Sequence, residues 1–458
     1  MTREKAEKII KLPHEEAVEA ILEIGDKAEK YDELISSSGS SPTRPSGMTP
    51  VYEKPNGKQG KKKPGQKNGH EGVSRTTPEK IDHYKEHKLD HCPDCAGKLN
   101  DPIKSYTRYT EDIPPVEPEV TEHKVFGYWC PGCKKVVFPK IDYALANSMI
   151  GLRVIVLSAW LHYLIGVSVG NVVKWLSVFA NLKVSPGGLT QAWNKLAQLL
   201  TPVYDEIGQK VKSCAVLNAD ETGWRLNGLT HWLWCFTNKI FCYYVITRSR
   251  GSPVVKRVLG NIFAGILICD FWGAYNKVAA LAKQRCVYHL FTELEKVDKY
   301  NKSLLWKAFR KTILRLFHDA IRLGSQKEKL DTEVYDRRKK FVIERFQEIL
   351  SSESQDQDVQ RLIKRFTRHK EEMFTFLDYN EVSPYNNHGE QQMRSAVMTR
   401  KISQQNRSRR GADTQAILMT LFRSLQLQKQ NPVEVLLTMA KTSIKTQIVF
   451  EQHFKLAI

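Results

Sequence analysis

An α/β core interrupted by a helical block is predicted for this chain, and three observations predict it. At Val211 the pattern changes from helical stripes to short β-rich runs, AVLNAD, HWLWCFT and FCYYVITR. Two apolar runs end on an aspartate, Asp220 after AVLNAD and Asp270 after GILICD, 50 residues later. From Leu290 to Tyr379 the chain then turns long, charged and helical, before a new helix opens at NNHGEQQMR.

Taken in order, the core reads β-β-β-α-β-α-β. Asn227-Gly228 and Asn238-Lys239 are its turns. A helical segment Ser252 to Leu259 precedes the strand GILICD, and a helix near Ala274 to Lys283 precedes a last strand RCVYH. This is the order of a ribonuclease-H-like fold, whose first and fourth strands are neighbours, so Asp220 and Asp270 come within metal-sharing distance. A carboxylate at the end of a buried strand is held by the sheet while facing solvent, which suits a metal or a reacting group. Glu221, next door, is either a supporting group behind the site or plain surface.

Glu390 opens the helix after the block and is the third acid. Asn387 and Glu390 also have the spacing of a capping box, N-cap and N3; the two upstream aspartates favour the site reading. Arg394, Arg400 and Lys401, followed by Arg407, Arg409 and Arg410, crowd the region just after. Such groups suit a phosphodiester held against metal ions, or form a solvated basic face.

Composition sets the partner class. The 458 residues are 41% hydrophobic and 26% charged, as in globular proteins of more than one domain. A net charge of +20 and a pI near 9.4 attract polyanions, of which nucleic acid is the commonest. Charge names a partner and not a reaction. The charged start MTREKAEKIIK lacks a signal-peptide core. Met149 to Val169 is long and apolar, but Arg153 and His162 interrupt it, so a buried helix is expected rather than a membrane span. The nine cysteines are two CxxC pairs plus single residues, which suits a reducing cytoplasm.

Ahead of the core, residues 1–35 form an N-terminal helix with a thin stripe, Val18, Ile21, Leu22, Gly25 and Ala28, either oligomerising or merely solvated. Residues 36–88 read as a Gly/Pro/Lys linker. Its Lys61, Lys62, Lys63 and Lys67, with Lys54 and Lys58, make it a phosphate-contacting arm or a basic tether. Residues 89–140 read as a zinc ribbon: Cys92, Cys95, Cys130 and Cys133 are paired thiols with the chemistry of a structural Zn²⁺ site. IKSYTRYTEDI and EVTEHKVFGYW are expected as two strands between them. A redox CxxC would need only one pair and a thioredoxin-like βαβ setting, which is missing. His91 is a neighbour rather than a ligand. Residues 141–205 are helical. Two amphipathic helices flank VSPGG, with Ser185 as N-cap and Pro186 at N1, giving either a helix-turn-helix that sets Leu189 to Lys195 on DNA or a plain helical hairpin. The remaining divisions are 211–289 and 385–430 for the two parts of the core, 290–384 for the helical insertion, and 431–458 for the tail.

The segments KKKPGQKNGHEG, CPDC and CPGC, NADETGW, CDFWGAYN, CVYH, NNHGE, TRKIS and NPVEVLL occur in this order over nearly the whole chain. In them the chain resembles the insertion sequence 66 family of bacterial transposases. The N-terminal helix is short beside the zipper-like region of that family, and QQNRSR matches loosely. The resemblance implies a DDE transposase in which Asp220, Asp270 and Glu390 are the catalytic acids. Two Mg²⁺ (or Mn²⁺) ions held about 3.5–4 Å apart would then serve an in-line displacement, Asp220 bridging both, Asp270 holding one and Glu390 the other. Water frees a 3′-OH at the element end, and that hydroxyl attacks target DNA. The expected partners are the terminal inverted repeats and target DNA, a second copy of the chain, and accessory transposition proteins, with no membrane; the expected location is cytoplasmic, on the nucleoid. Two rivals remain: a ribonuclease-H-like nuclease that does not join, and a domesticated zinc-ribbon DNA-binding protein.

Overall fold

The computed structural model describes residues 76–403 and 405–446. The N-terminal helix, Lys61, Lys62, Lys63, Lys67 and the end of the tail lie outside the described residues.

The chain enters through two small knuckles. Cys92 to Cys95 is a tight turn closed by Cys92 N–H to the Gly97 carbonyl at 2.8 Å. Strands β1 (Tyr128–Cys130) and β2 (Lys135–Val137) form a short antiparallel hairpin around the second CxxC. Between the knuckles the structure corrects the expectation of two long strands. Residues 99–127 belong to no strand, and Ile103, Tyr106 and Val120 are at least 90% exposed. These residues have strand propensity but no layer to bury against, and propensity alone does not hold a sheet together.

Helices α1 (Leu152–Tyr163), α2 (Val169–Phe179) and α3 (Pro186–Lys212) follow. The long apolar run is a buried α1, and Arg153 leaves it sideways to pair with Glu434 at 2.6 Å. No helix of the described residues is long and apolar enough to cross a membrane. Ser185 caps α3, accepting from Gly188 N–H at 3.0 Å. Leu189, Trp193 and Leu196 are fully buried. One face of the start of α3 is therefore spent on the core, while Gln191 and Lys195 stay exposed on the other.

The sheet has five strands in the order β5-β4-β3-β6-β7: β3 (Val216–Leu226), β4 (Leu229–Thr237), β5 (Cys242–Thr247), β6 (Ile262–Cys269) and β7 (Ala279–Arg285). β3 and β4 join through Asn227 and Gly228, both at positive φ (47° and 75°), as a two-residue hairpin turn with matching twist requires. β3 pairs β4 antiparallel and β6 parallel. α4 (Ser252–Leu259) links β5 to β6. At Gly265 a Cβ would lie 2.0 Å from the Cys214 carbonyl, so only glycine lets β6 pass the entry to β3. The expected helix near 274–283 is instead a 3-10 turn, Gly273–Lys277, followed by β7, an edge strand parallel to β6. AALAK has helical composition, but ladder bonds to β6 override local preference.

After β7 come α5 (Val287–Tyr300), α6 (Leu304–Gly324), α7 (Thr332–Leu350) and α8 (Gln357–Arg368). They build a core around Phe317, Phe346, Phe366 and Phe374, which rests on Ile266 and Ile268 of β6. Leu267 and Cys269, pointing the other way, belong to the larger core on the opposite face. α9 (Asn387–Ser403), α10 (Arg409–Leu427) and α11 (Pro432–Thr446) complete the fold. α10 closes the free edge of β5: Ser424 and Thr420 hydroxyls accept from Cys242 and Tyr244 N–H at 3.1 and 2.9 Å. An edge covered in this way has no free donors to recruit another strand.

Candidate active site

Asp220 is not at a strand end. β3 runs on to Leu226, and Asp220 sits opposite Cys235 of β4. The parallel ladder with β6, however, ends at Asn218 opposite Ile268. The same register carried two residues further sets Asp220 beside Asp270, just where β6 stops and the strand is open on that side.

α9 brings Glu390 to the same place. Asn218 donates to Asn386 at 2.8 Å, and Asn386 donates to the Ala219 carbonyl at 2.9 Å. His388 reaches the Asn238 carbonyl at 2.6 Å. These bonds fix the first turn of α9 against β3 and β4. The helix already includes Asn387, so the capping-box alignment does not apply. The Glu390 carboxylate instead faces His289, 3.9 Å away.

Charge compensation separates Asp220 from Glu221. The Glu221 side chain is 1% exposed and pairs with Arg250 at 2.9 Å, while Tyr275 donates to it at 2.5 Å. Arg250 is stacked between Trp232 and Trp272, 4.6 and 3.7 Å from the ring centres. Burial, then the Asp270 and Asp220 charges, push Glu221 well above the usual carboxylate range, against the pull of Arg250. Glu221 is thus a structural acid, and NADETGW and CDFWGAYN are largely the wall built around it. Asp220 accepts only from the Glu221 N–H at 2.9 Å, and Asp270 from Trp272 N–H at 2.8 Å. Among the described residues neither carboxylate has a Lys or Arg partner. Burial and the neighbouring Asp270 raise Asp220 to about 7. Crowded carboxylates without a Lys or Arg partner are the donor set that hard divalent ions take.

Two neighbours of the acids were not singled out as ligands from the sequence. Cys286, His289 and Glu390 offer donor atoms all within 4.8 Å of one another. Cys286 accepts from Asn386 N–H at 3.2 Å. Burial lowers His289, but the Cys286 contact and the Asp270 and Glu390 charges outweigh it and raise it to about 9. His289 Nδ1 is buried with no hydrogen-bond partner, so one donor atom is left over at the cluster. The signal was present in CVYH: three residues apart at a helix start, Cys286 and His289 share one face. Arg285, fully buried, holds the Asp270 carbonyl at 2.7 Å and Glu372 at 2.6 Å. Glu372 lies in the helical block, where no acid stood out in sequence.

Of the basic residues, Arg394 and Lys401 are exposed on α9. Arg400 is half-buried and bonds to Thr222 Oγ1 at 3.2 Å and to the Gly223 carbonyl, so it braces β3.

The four predicted zinc thiols form two matched pairs. Ala96 and Lys134, each directly after a CxxC, adopt φ of 55° and 50°. Backbone N–H groups of Asp94 and Cys95 lower the Cys92 thiol, and those of Cys133 and Gly132 act on Cys130 with its partner thiol. Such turns fit a soft metal. The structure does not bring the two pairs into one cluster: among the described residues only the Cys286 group has three donors within 4.8 Å.

Two family models match the chain. No curated protein matches the chain. The zinc-finger binding domain of transposase IS66 matches residues 90–134, both knuckles included. The transposase IS66 family matches residues 147–414, more than half of the chain and all three acids, and the chain therefore belongs to the transposase IS66 family.

Proposed function

We propose that the protein is a DDE transposase that cuts the ends of its element and joins the freed 3′-OH to target DNA. The observation that carries this reading is the contrast between neighbours: Glu221 has its arginine, whereas Asp220, Asp270 and Glu390 meet without one. The strand order, with β3 between antiparallel β4 and parallel β6, supports the ribonuclease-H-like reading of the core.

Asp220, Asp270 and Glu390 would hold Mg²⁺ or Mn²⁺, with His289 beside Glu390. Bound there, the ions supply charge neutralisation for an in-line phosphoryl displacement. The chain's own part is positional: the β3–β6 register fixes two carboxylates, and the Asn218–Asn386 bond fixes the third. In the first step a water oxygen attacks phosphorus, the bond to the 3′-oxygen breaks, and the water's proton departs as the 3′-oxygen gains one. In the second step the 3′-OH attacks a target phosphodiester and a target 3′-oxygen leaves.

The four cysteines would hold structural Zn²⁺. Residues 99–127 have no core of their own, so a shared ion supplies the cohesion that packing lacks. The partners of this reading are the terminal inverted repeats, target DNA and a second copy of the chain.

The test is a labelled element end incubated with Mg²⁺. Cleavage and strand-transfer products are expected, both lost in Asp220→Ala. Cleavage without joining points to a nuclease; cleavage that survives Asp220→Ala removes the site.

A further inference from the structure

Beyond the acids, β3 and α9 run on together to a cavity of 690 Å³. Its walls come from the start of α3, the end of α9, the start of α10 and Trp224 of β3. The lining contains three arginines, Arg400, Arg407 and Arg410, and no carboxylate. The indole N–H of Trp224 donates to Asn406 at 2.7 Å, which fixes the inner wall. Ser403 Oγ, also in the lining, is buried without a partner. A polar recess with uncompensated positive charge and a spare hydroxyl is chemically matched to an anion.

Its position says which anion. Asp220 and Trp224 are four residues apart on one face of β3, about 13 Å at the rise of a strand. Arg400 bridges the gap, bonded to Thr222 and Gly223 between the two places. We infer that this cavity binds a phosphodiester of the DNA strand that flanks the scissile bond, about 13 Å from the acids along β3. The inference rests on the proposed catalytic reading for the direction of the strand, whereas anion binding follows from the cavity alone.

The experiment uses the full chain and DNA carrying the inverted repeats that flank its gene, without added Mg²⁺. Affinity is read by fluorescence anisotropy over a series of salt concentrations. Arg407→Ala with Arg410→Ala is expected to flatten the slope of log affinity against log salt by about 0.9, the share of the one phosphate that is no longer neutralised. Gly187→Phe adds bulk at the cavity wall without removing charge; Gly187 lines the cavity, and a Cβ there meets nothing within 4 Å. It is expected to weaken binding about tenfold with an unchanged melting temperature. If the arginine pair alters the slope but Gly187→Phe binds like the wild type, the arginines are surface contacts and the inference is overturned. It is equally overturned if neither variant differs, or if inorganic phosphate raises the melting temperature while the DNA slope stays the same in the arginine variant. The catalytic reading is scored separately, by Mg²⁺-dependent cleavage in Asp220→Ala.

Discussion

Asn218 and Asn386, 168 residues apart, share a buried side-chain hydrogen bond of 2.8 Å. Through it the strand that carries Asp220 and the helix that carries Glu390 are held as one piece. Gly389 belongs to the same joint, since a Cβ there would lie 2.8 Å from Asn386 Oδ1. Asn386→Ala removes the bonds to both Asn218 and Ala219. It is expected to cost about 1–3 kcal/mol in urea unfolding and to slow Mg²⁺-dependent cleavage about a hundredfold through misplacement of Glu390. Cleavage at the wild-type rate would show that the joint does not set the geometry.

Asp220 and Glu221 should fail in opposite ways. Asp220→Asn relieves like-charge crowding, so the variant is expected to melt at or above the wild-type temperature while cleavage disappears. Glu221→Ala leaves Arg250 buried without its carboxylate, at a cost of about 3–5 kcal/mol. Calorimetric melting and a cleavage assay on both variants check the pair. A stable, fully active Glu221→Ala protein would contradict the assignment.

His289 Nδ1 stands 3.9 Å from Glu390 Oε1 and has no hydrogen-bond partner. Replacing it by alanine is expected to weaken Mn²⁺ binding about 10–100-fold, the usual effect of losing a group that orients a ligand. Titration calorimetry reads this directly, and an unchanged affinity would place His289 outside the site.

Zinc is expected to copurify with the chain in equimolar amount and to be lost in the double variant Cys92→Ser with Cys130→Ser. Elemental analysis checks it. The catalytic core, which buries its own helices and sheet, should keep its melting transition in that variant; wild-type protein free of zinc would remove the ribbon.

Stability should fall in acid through a network away from the acids. Burial and then Arg285 lower His369 to about 4, and Arg285 and Lys283 hold the buried Glu372 well below the usual carboxylate range despite desolvation. Both folded values are depressed, so their stabilisation is complete above about pH 6.5 and is lost as pH falls. The His369 share, about 3 kcal/mol, disappears between about pH 6.5 and 4. Denaturant unfolding across this window should be flatter for His369→Gln than for the wild type; parallel curves would exclude the coupling.

The sequence by itself determined the elements with strong local signals. The β-rich runs around Asp220 and Asp270, the Asn227-Gly228 turn, the Ser185 cap and the two knuckles are all set by residues a few positions apart. Even the 50-residue spacing of the aspartates is the offset of the β3–β6 ladder. Tertiary structure decided what local pattern leaves open. AALAK became a strand because β6 offered it a ladder, and Leu189, Trp193 and Leu196 went to the core because neighbouring helices cover them. The roles of Asp220 and Glu221 depended on Arg250, 29 residues from Glu221, and the place of Glu390 on a bond between two asparagines far apart in the chain. A carboxylate's environment is a sum over everything packed around it, and that sum exists only once the chain has folded.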